Sequence, residues 1–168
     1  WLATDNLTLG GNFSFTPSEY TESFRISDTS NSQVPGSLYP EFDTLTQDIK
    51  GKQLIQVPEK KATGWASYMM PLTGGNSLEF FSVYSWIDDV YYSPFESSRE
   101  MAPSYGRLDA RVTWRSGSGN WTMAGFMNNV LDDIGHLQIM RTGEAEMFRV
   151  TSTTTAPRMY GIELTYDY

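Results

Sequence analysis

The sequence predicts an all-β chain, an antiparallel segment of a transmembrane β-barrel. Three observations carry this reading. Several segments alternate apolar and polar residues with the period of a strand, and none sustains a helical period. Short Gly-rich turns and long polar connections alternate strictly along the chain. Aromatic residues make up 14% of a chain that is only 39% hydrophobic. Soluble cores are built mainly from aliphatic side chains, whereas rings with a polar handle suit a boundary between apolar and wet regions.

The elements follow in order. In "LTLGGNFSF", Leu7, Leu9, Gly11, Phe13 and Phe15 share one face; Thr8, Gly10, Asn12 and Ser14 share the other. "TGWASYMMPL" and "NWTMAGFMNNV" read as strands without a clear division of faces. "SLEFFSVYSW" is mixed: Leu78, Phe80, Tyr84 and Trp86 share a face with Ser82, and the opposite face holds Phe81 and Val83 beside Glu79 and Ser85. In "YGRLDARVTWR", Leu108, Ala110, Val112 and Trp114 oppose Arg107, Asp109, Arg111, Thr113 and Arg115. Four charges on one strand face cannot sit in a dry core. The final stretch alternates Tyr160, Ile162, Leu164, Tyr166 and Tyr168 with Gly161, Glu163, Thr165 and Asp167. About six strands are predicted, near residues 6–20, 58–72, 77–92, 104–116, 120–131 and 156–168.

"LTGGNS" (Leu72 to Ser77) and "SGSGN" (Ser116 to Asn120) read as tight hairpin turns. The long connections run from about Thr21 to Val57, Asp88 to Pro103 and Asp132 to Thr155. Strict alternation puts the tight turns at one end, with Tyr168, and the long loops at the other. That is the pattern of outer-membrane barrels. No run of 18 apolar residues occurs, so no membrane helix is predicted; alternating barrel strands need none. The net charge of −8 argues against a nucleic-acid partner, which needs clustered Lys and Arg. The absence of Cys is compatible with a bacterial envelope protein. The chain opens on "WLATDNLTLGGNFSF", a strand already under way with no signal peptide, and is expected to be a piece of a longer protein.

The run "YGRLDARVTW…NWTMAGFMNNVLDD…APRMYGIELTYDY" resembles the C-terminal end of TonB-dependent receptors, outer-membrane transporters with a large barrel and an N-terminal plug. The resemblance is carried by Leu108, Asp109 and Arg111, by Asn129, Val130 and Asp132, and by Pro157, Arg158, Tyr160 and Gly161. It is clear from about Tyr105 onward, and "VPEKKATGWASYMMPL" looks like an earlier strand opening of the same family. The family typically ends on Phe, where this chain has Tyr168.

The resemblance implies that residues 1–168 form one C-terminal barrel segment, with the plug and earlier strands absent. As a fragment of a barrel of about 22 strands it would be an open curved sheet. It implies active uptake of a scarce solute (an iron–siderophore complex, cobalamin or a saccharide) energised through TonB, with the TonB complex met through the absent N-terminal region. It also implies contact with outer-membrane lipid and with a small-molecule ligand. The terminal strand, with Tyr160, Ile162, Leu164, Tyr166 and Tyr168, would be read by the barrel assembly machinery and would close the barrel.

Candidate side chains follow. Arg107, Asp109, Arg111, Glu163 and Thr165, with Arg115, are candidates for the lumen, either as a ligand contact or, more plainly, as a hydrated wall with cross-strand ion pairs. Tyr39, Glu41, Phe42, Asp43 and Asp48 mix rings and carboxylates in the longest loop and could meet an external ligand. His136 is the sole histidine and is expected in a loop; with Glu144 and Glu146 it matches no metal motif. No hydrolytic triad or phosphate-binding loop is spelled out. No catalytic residue, metal or cofactor is expected, and the chain is read as a non-enzyme. Two other readings stay open: a passive outer-membrane porin or adhesin barrel, and a soluble β-sandwich that binds a ligand or glycan.

Overall fold

The computed structural model describes residues 1–28, 46–142 and 146–168. Its strands, in chain order, are β1 (Leu2–Thr4), β2 (Leu7–Phe15), β3 (Arg25–Ser27), β4 (Thr46–Asp48), β5 (Lys60–Pro71), β6 (Ser77–Ile87), β7 (Val90–Tyr91), β8 (Met101–Ala102), β9 (Tyr105–Arg115), β10 (Trp121–Asn128), β11 (His136–Arg141), β12 (Val150–Thr154) and β13 (Met159–Tyr166). Seven of them form one antiparallel sheet in the order β1-β2-β5-β6-β9-β10-β13. Among the described residues there is no α-helix; 3₁₀ turns occur at Thr73–Gly75 and Ser98–Glu100. Strands β5, β6 and β9, of 12, 11 and 11 residues, are long enough to cross a hydrocarbon layer when tilted.

The structure corrects the strand count. The opening segment is two strands rather than one, because the chain reverses at Asp5 and Asn6 and pairs Leu2 with Thr8. Thr4 Oγ1 accepts the amides of Asn6 and Leu7 and fixes this turn. The short polar run "TDN" was the available signal. Strands also end earlier than expected: β2 stops at Phe15, β6 at Ile87 and β13 at Tyr166. The long connections are not plain loops. Each carries a two-stranded ribbon: β3–β4, β7–β8 or β11–β12. His136 accordingly opens strand β11 instead of lying in a loop.

Both Gly-rich turns lie at one end with the C-terminus, as expected. Gly117 donates its amide to Asn76 Oδ1 at 3.0 Å, and Asn76 Nδ2 donates to the Thr73 carbonyl at 2.7 Å. Asp167 donates its amide to the Asn120 carbonyl. Gly74 and Gly75 hold φ of 73° and 77°, where a side chain would be strained. A methyl group on Gly117 would run into the backbone of Gly74, so the two turns can touch only through glycine.

The opposite end is fastened by Asn129, whose side chain is 1% exposed and whose φ is 53°. Its Nδ2 donates to the carbonyls of Asp133 (2.8 Å) and Ala156 (3.2 Å), and its amide donates to Asp109 Oδ1 (2.7 Å). Asp109 also receives Arg107 Nε at 2.8 Å, and Asp132 receives the Arg158 amide at 2.9 Å. The motif residues Asp109, Asn129, Asp132 and Arg158 thus tie together β9, β10 and the approach to β13.

The wall sheet is a single layer with no apolar core of its own. Among the described residues the buried hydrophobic side chains are Ile49, Val90, Ala102, Ala124 and Ile139, and of these only Ala124 belongs to that sheet. Val90, Ala102 and Ile139 cluster with Tyr92 among the long connections. Replacing Asn129 by Ala removes both of these side-chain hydrogen bonds and leaves a void where a buried side chain stood. Asn129→Ala should cost about 1–3 kcal/mol, read by urea unfolding in detergent micelles. A loss under about 0.5 kcal/mol, the size of an ordinary surface change, would show that the loop end is fastened elsewhere.

Candidate functional site

Residues paired directly across strands point to the same face, so the register sorts every wall side chain. One row runs Leu7–Tyr68–Phe80–Val112–Gly125–Ile162 and the next Leu9–Ala66–Ser82–Ala110–Met127–Tyr160. Met70, Leu78, Trp114, Met123 and Leu164 lie on this face too, as do Leu108, Trp121 and Tyr166. It exposes large apolar groups without cover: Phe80 is 41% exposed, Leu164 65% and Ile162 80%. Near the turn end the Trp121 and Tyr166 rings stack at 4.7 Å. Tyr168 lies past the end of β13 and is fully exposed.

The opposite face carries the charges. Arg111 Nη2 pairs with Glu163 across the intervening β10, and Arg115 Nη1 pairs with Glu79 at 2.9 Å. Arg107 pairs with Asp109 on the same strand. Thr165 lies on this face opposite Thr122. These groups are partly solvated, so each pair contributes little stability. Their effect is to leave a polar surface with its charges matched.

Within the charged face lies an apolar patch that the sequence reading left undivided. Phe81, Val83 and Phe126 share it with Trp65, whose ring is 6.3 Å from Phe81. A methyl group on Gly161 would come within 2.6 Å of the Phe126 ring, so glycine there lets that ring lie down on β13. A recess of about 430 Å³ is lined by Phe81, Val83, Phe126, Asp109, Arg111 and Glu163. The recess lies on the charged face, so that the two faces differ in shape as well as in chemistry. The faces of β5 and β10, undecided in the sequence, follow from register alone.

The other sequence candidates separate. Tyr39, Glu41, Phe42, Asp43 and Glu144 lie outside the described residues. Asp48 spends its carboxylate locally, accepting Ser23 Oγ at 2.6 Å and the amides of Phe24 and Lys50. The Ser23 hydroxyl and those amides hold the Asp48 carboxyl below the ordinary range. Beyond β6, burial and the neighbouring Asp88 raise that of Asp89. Among the described residues no three His, Asp or Glu side chains converge as metal ligands would.

A family model described as "TonB dependent receptor-like, beta-barrel" matches residues 1–130. The chain belongs to the TonB-dependent receptor family. The match covers the first six strands of the wall and ends before β13, so it complements the resemblance seen in the last segments. The fold agrees with solved receptors. The ferric yersiniabactin uptake receptor FyuA from Yersinia pestis superposes with a TM-score of 0.73 at 14% identity, covering 100% of this chain and 22% of that one. The siderophore receptor PiuA from Acinetobacter baumannii gives 0.66 at 21% identity, covering 99% and 20%. The chain therefore spans about a fifth of the length of these receptors. No curated protein matches it. Family and fold place it in the bacterial outer membrane.

The division of faces is directly measurable, since the chain has no native Cys. Nitroxides attached at single cysteines from 108 to 114, in bilayers, should show oxygen accessibility with a two-residue period. Maxima should fall at 108, 110, 112 and 114. A pattern of opposite phase, or none, would contradict the assignment of the outer face.

Proposed function

We propose that residues 1–168 are one C-terminal barrel segment of an outer-membrane active transporter. The intact receptor takes up a scarce solute, with energy delivered through TonB to a region outside this segment. The observation that carries the reading is the two-sided wall: an uncovered band of rings outside and a matched set of charges around a recess inside. Lipid covers the first, and the second faces the lumen. Arg107, Asp109, Arg111, Glu163 and Thr165 are then lumen residues, and their pairing makes them a hydrated wall first and a ligand contact second. The segment does no covalent chemistry.

The solute is a small molecule, with an iron–siderophore complex ahead of cobalamin or a saccharide. One similar structure is named a siderophore receptor and the other a ferric yersiniabactin uptake receptor, which supports that order. The terminal strand, with Tyr160, Ile162, Leu164, Tyr166 and Tyr168, closes the barrel and presents its alternating face to the barrel assembly machinery. Closure matters because an unpaired backbone group in hydrocarbon costs several kcal/mol.

The test is uptake of radiolabelled ferric siderophores under iron limitation. Deleting the gene should abolish uptake of at least one of them, and so should deleting TonB with this gene intact. Uptake through the protein that persists without TonB would mean a passive pore.

A further inference from the structure

The long connections hold most of the buried apolar residues in a chain whose wall is a single layer. That distribution asks what the packing there accomplishes. We propose that segment 88–104 is a hub that binds the described parts of the other two long connections to itself as one block, so that they rearrange together or not at all.

The hub contains the β7–β8 ribbon, in which Val90 pairs with Ala102. Toward the third connection, Val90 and Ala102 pack on Ile139 of β11, and the Tyr92 hydroxyl donates to the Leu137 carbonyl at 2.8 Å. Arg141 pairs with Glu100 at 3.8 Å, both side chains being only 11–12% exposed. The pair links the two connections, and removing either partner alone would leave the other charge largely buried and uncompensated. Toward the first connection, the Gln56 amide donates to the Tyr91 carbonyl at 2.8 Å, and the Gln53 amide to Glu96 Oε1 at 2.7 Å. Lys52 Nζ adds a bond to the Phe95 carbonyl at 3.2 Å.

Two of these contact residues hold left-handed backbones, Gln56 with φ of 61° and Glu96 with φ of 54°. A non-Gly residue keeps such a conformation when its surroundings over-determine it. Here the surroundings are the facing connection, so each loop fixes the other's shape. A group of segments that share a core and mutual hydrogen bonds opens as one cooperative unit. A solute touching any one connection then acts on all three, because its contact energy is felt by the shared equilibrium rather than by one loop. The inference rests on packing and does not depend on which solute is carried.

Hydrogen exchange followed by mass spectrometry, on the receptor in membrane nanodiscs, tests it. The variants are Tyr92→Phe, which removes the bond to Leu137, and Glu96→Ala, which removes the acceptor for Gln53. Each should raise exchange about fivefold, the equilibrium equivalent of one net hydrogen bond, in all three segments: 50–57, 90–102 and 136–154. The amides of β9 and β10 should be unchanged, which shows that the wall stays folded. A rise confined to the two segments that shared the deleted bond, or no rise at all, would overturn the proposal.

Discussion

Everything in this wall depends on pairing backbone groups inside a layer that offers them no water. An antiparallel ladder satisfies every interior N–H and C=O between neighbours, and it leaves side chains free to alternate between two environments. Alternation then divides the chemistry. On the proposed reading, rings and aliphatics at one phase meet lipid, and Arg, Asp and Glu at the other meet the lumen. A one-residue slip of β9 would put Arg111 on the apolar face and Val112 on the charged one. The register is therefore held at both ends, by the Asn76–Gly117 contact among the tight turns and by Asn129 among the long connections.

That constraint explains how much could be read from the sequence. A face that must be apolar throughout is written in plain period-2 code, so β9 and β13 were legible residue by residue. The inner face is only required to be compatible with its contents, and it tolerates rings. Phe81, Val83, Phe126 and Trp65 therefore blurred the alternation of three strands, and only the pairing partners separate them. The reversal at Asp5 and Asn6 was missed because its first strand is three residues long, too short for a period to show.

The long connections were illegible for another reason. Their order comes from contacts between segments far apart in sequence: Tyr92 with Leu137, Glu100 with Arg141, Gln53 with Glu96. Nothing local in "YYSPFESSREMAP" announces that Val90 and Ala102 will close on Ile139. The same is true of the motif residues. Asp109, Asn129, Asp132 and Arg158 marked the family in the sequence, and the structure shows them joined in a hydrogen-bonded clasp. Recognition of a family and the role of the residues that betray it are separate questions here.

On the proposed reading the ring-bearing face is stable only against lipid. Outside a membrane, residues 1–168 would present that band and two strand edges, β1 and β13, to water. Such surfaces associate with one another. The most direct measurement is size-exclusion chromatography with circular dichroism on residues 1–168 in buffer without detergent. The account predicts aggregation, or an unfolded chain. A monodisperse monomer with a cooperative thermal transition would contradict it, because the rings would then be packed in a core of the protein's own.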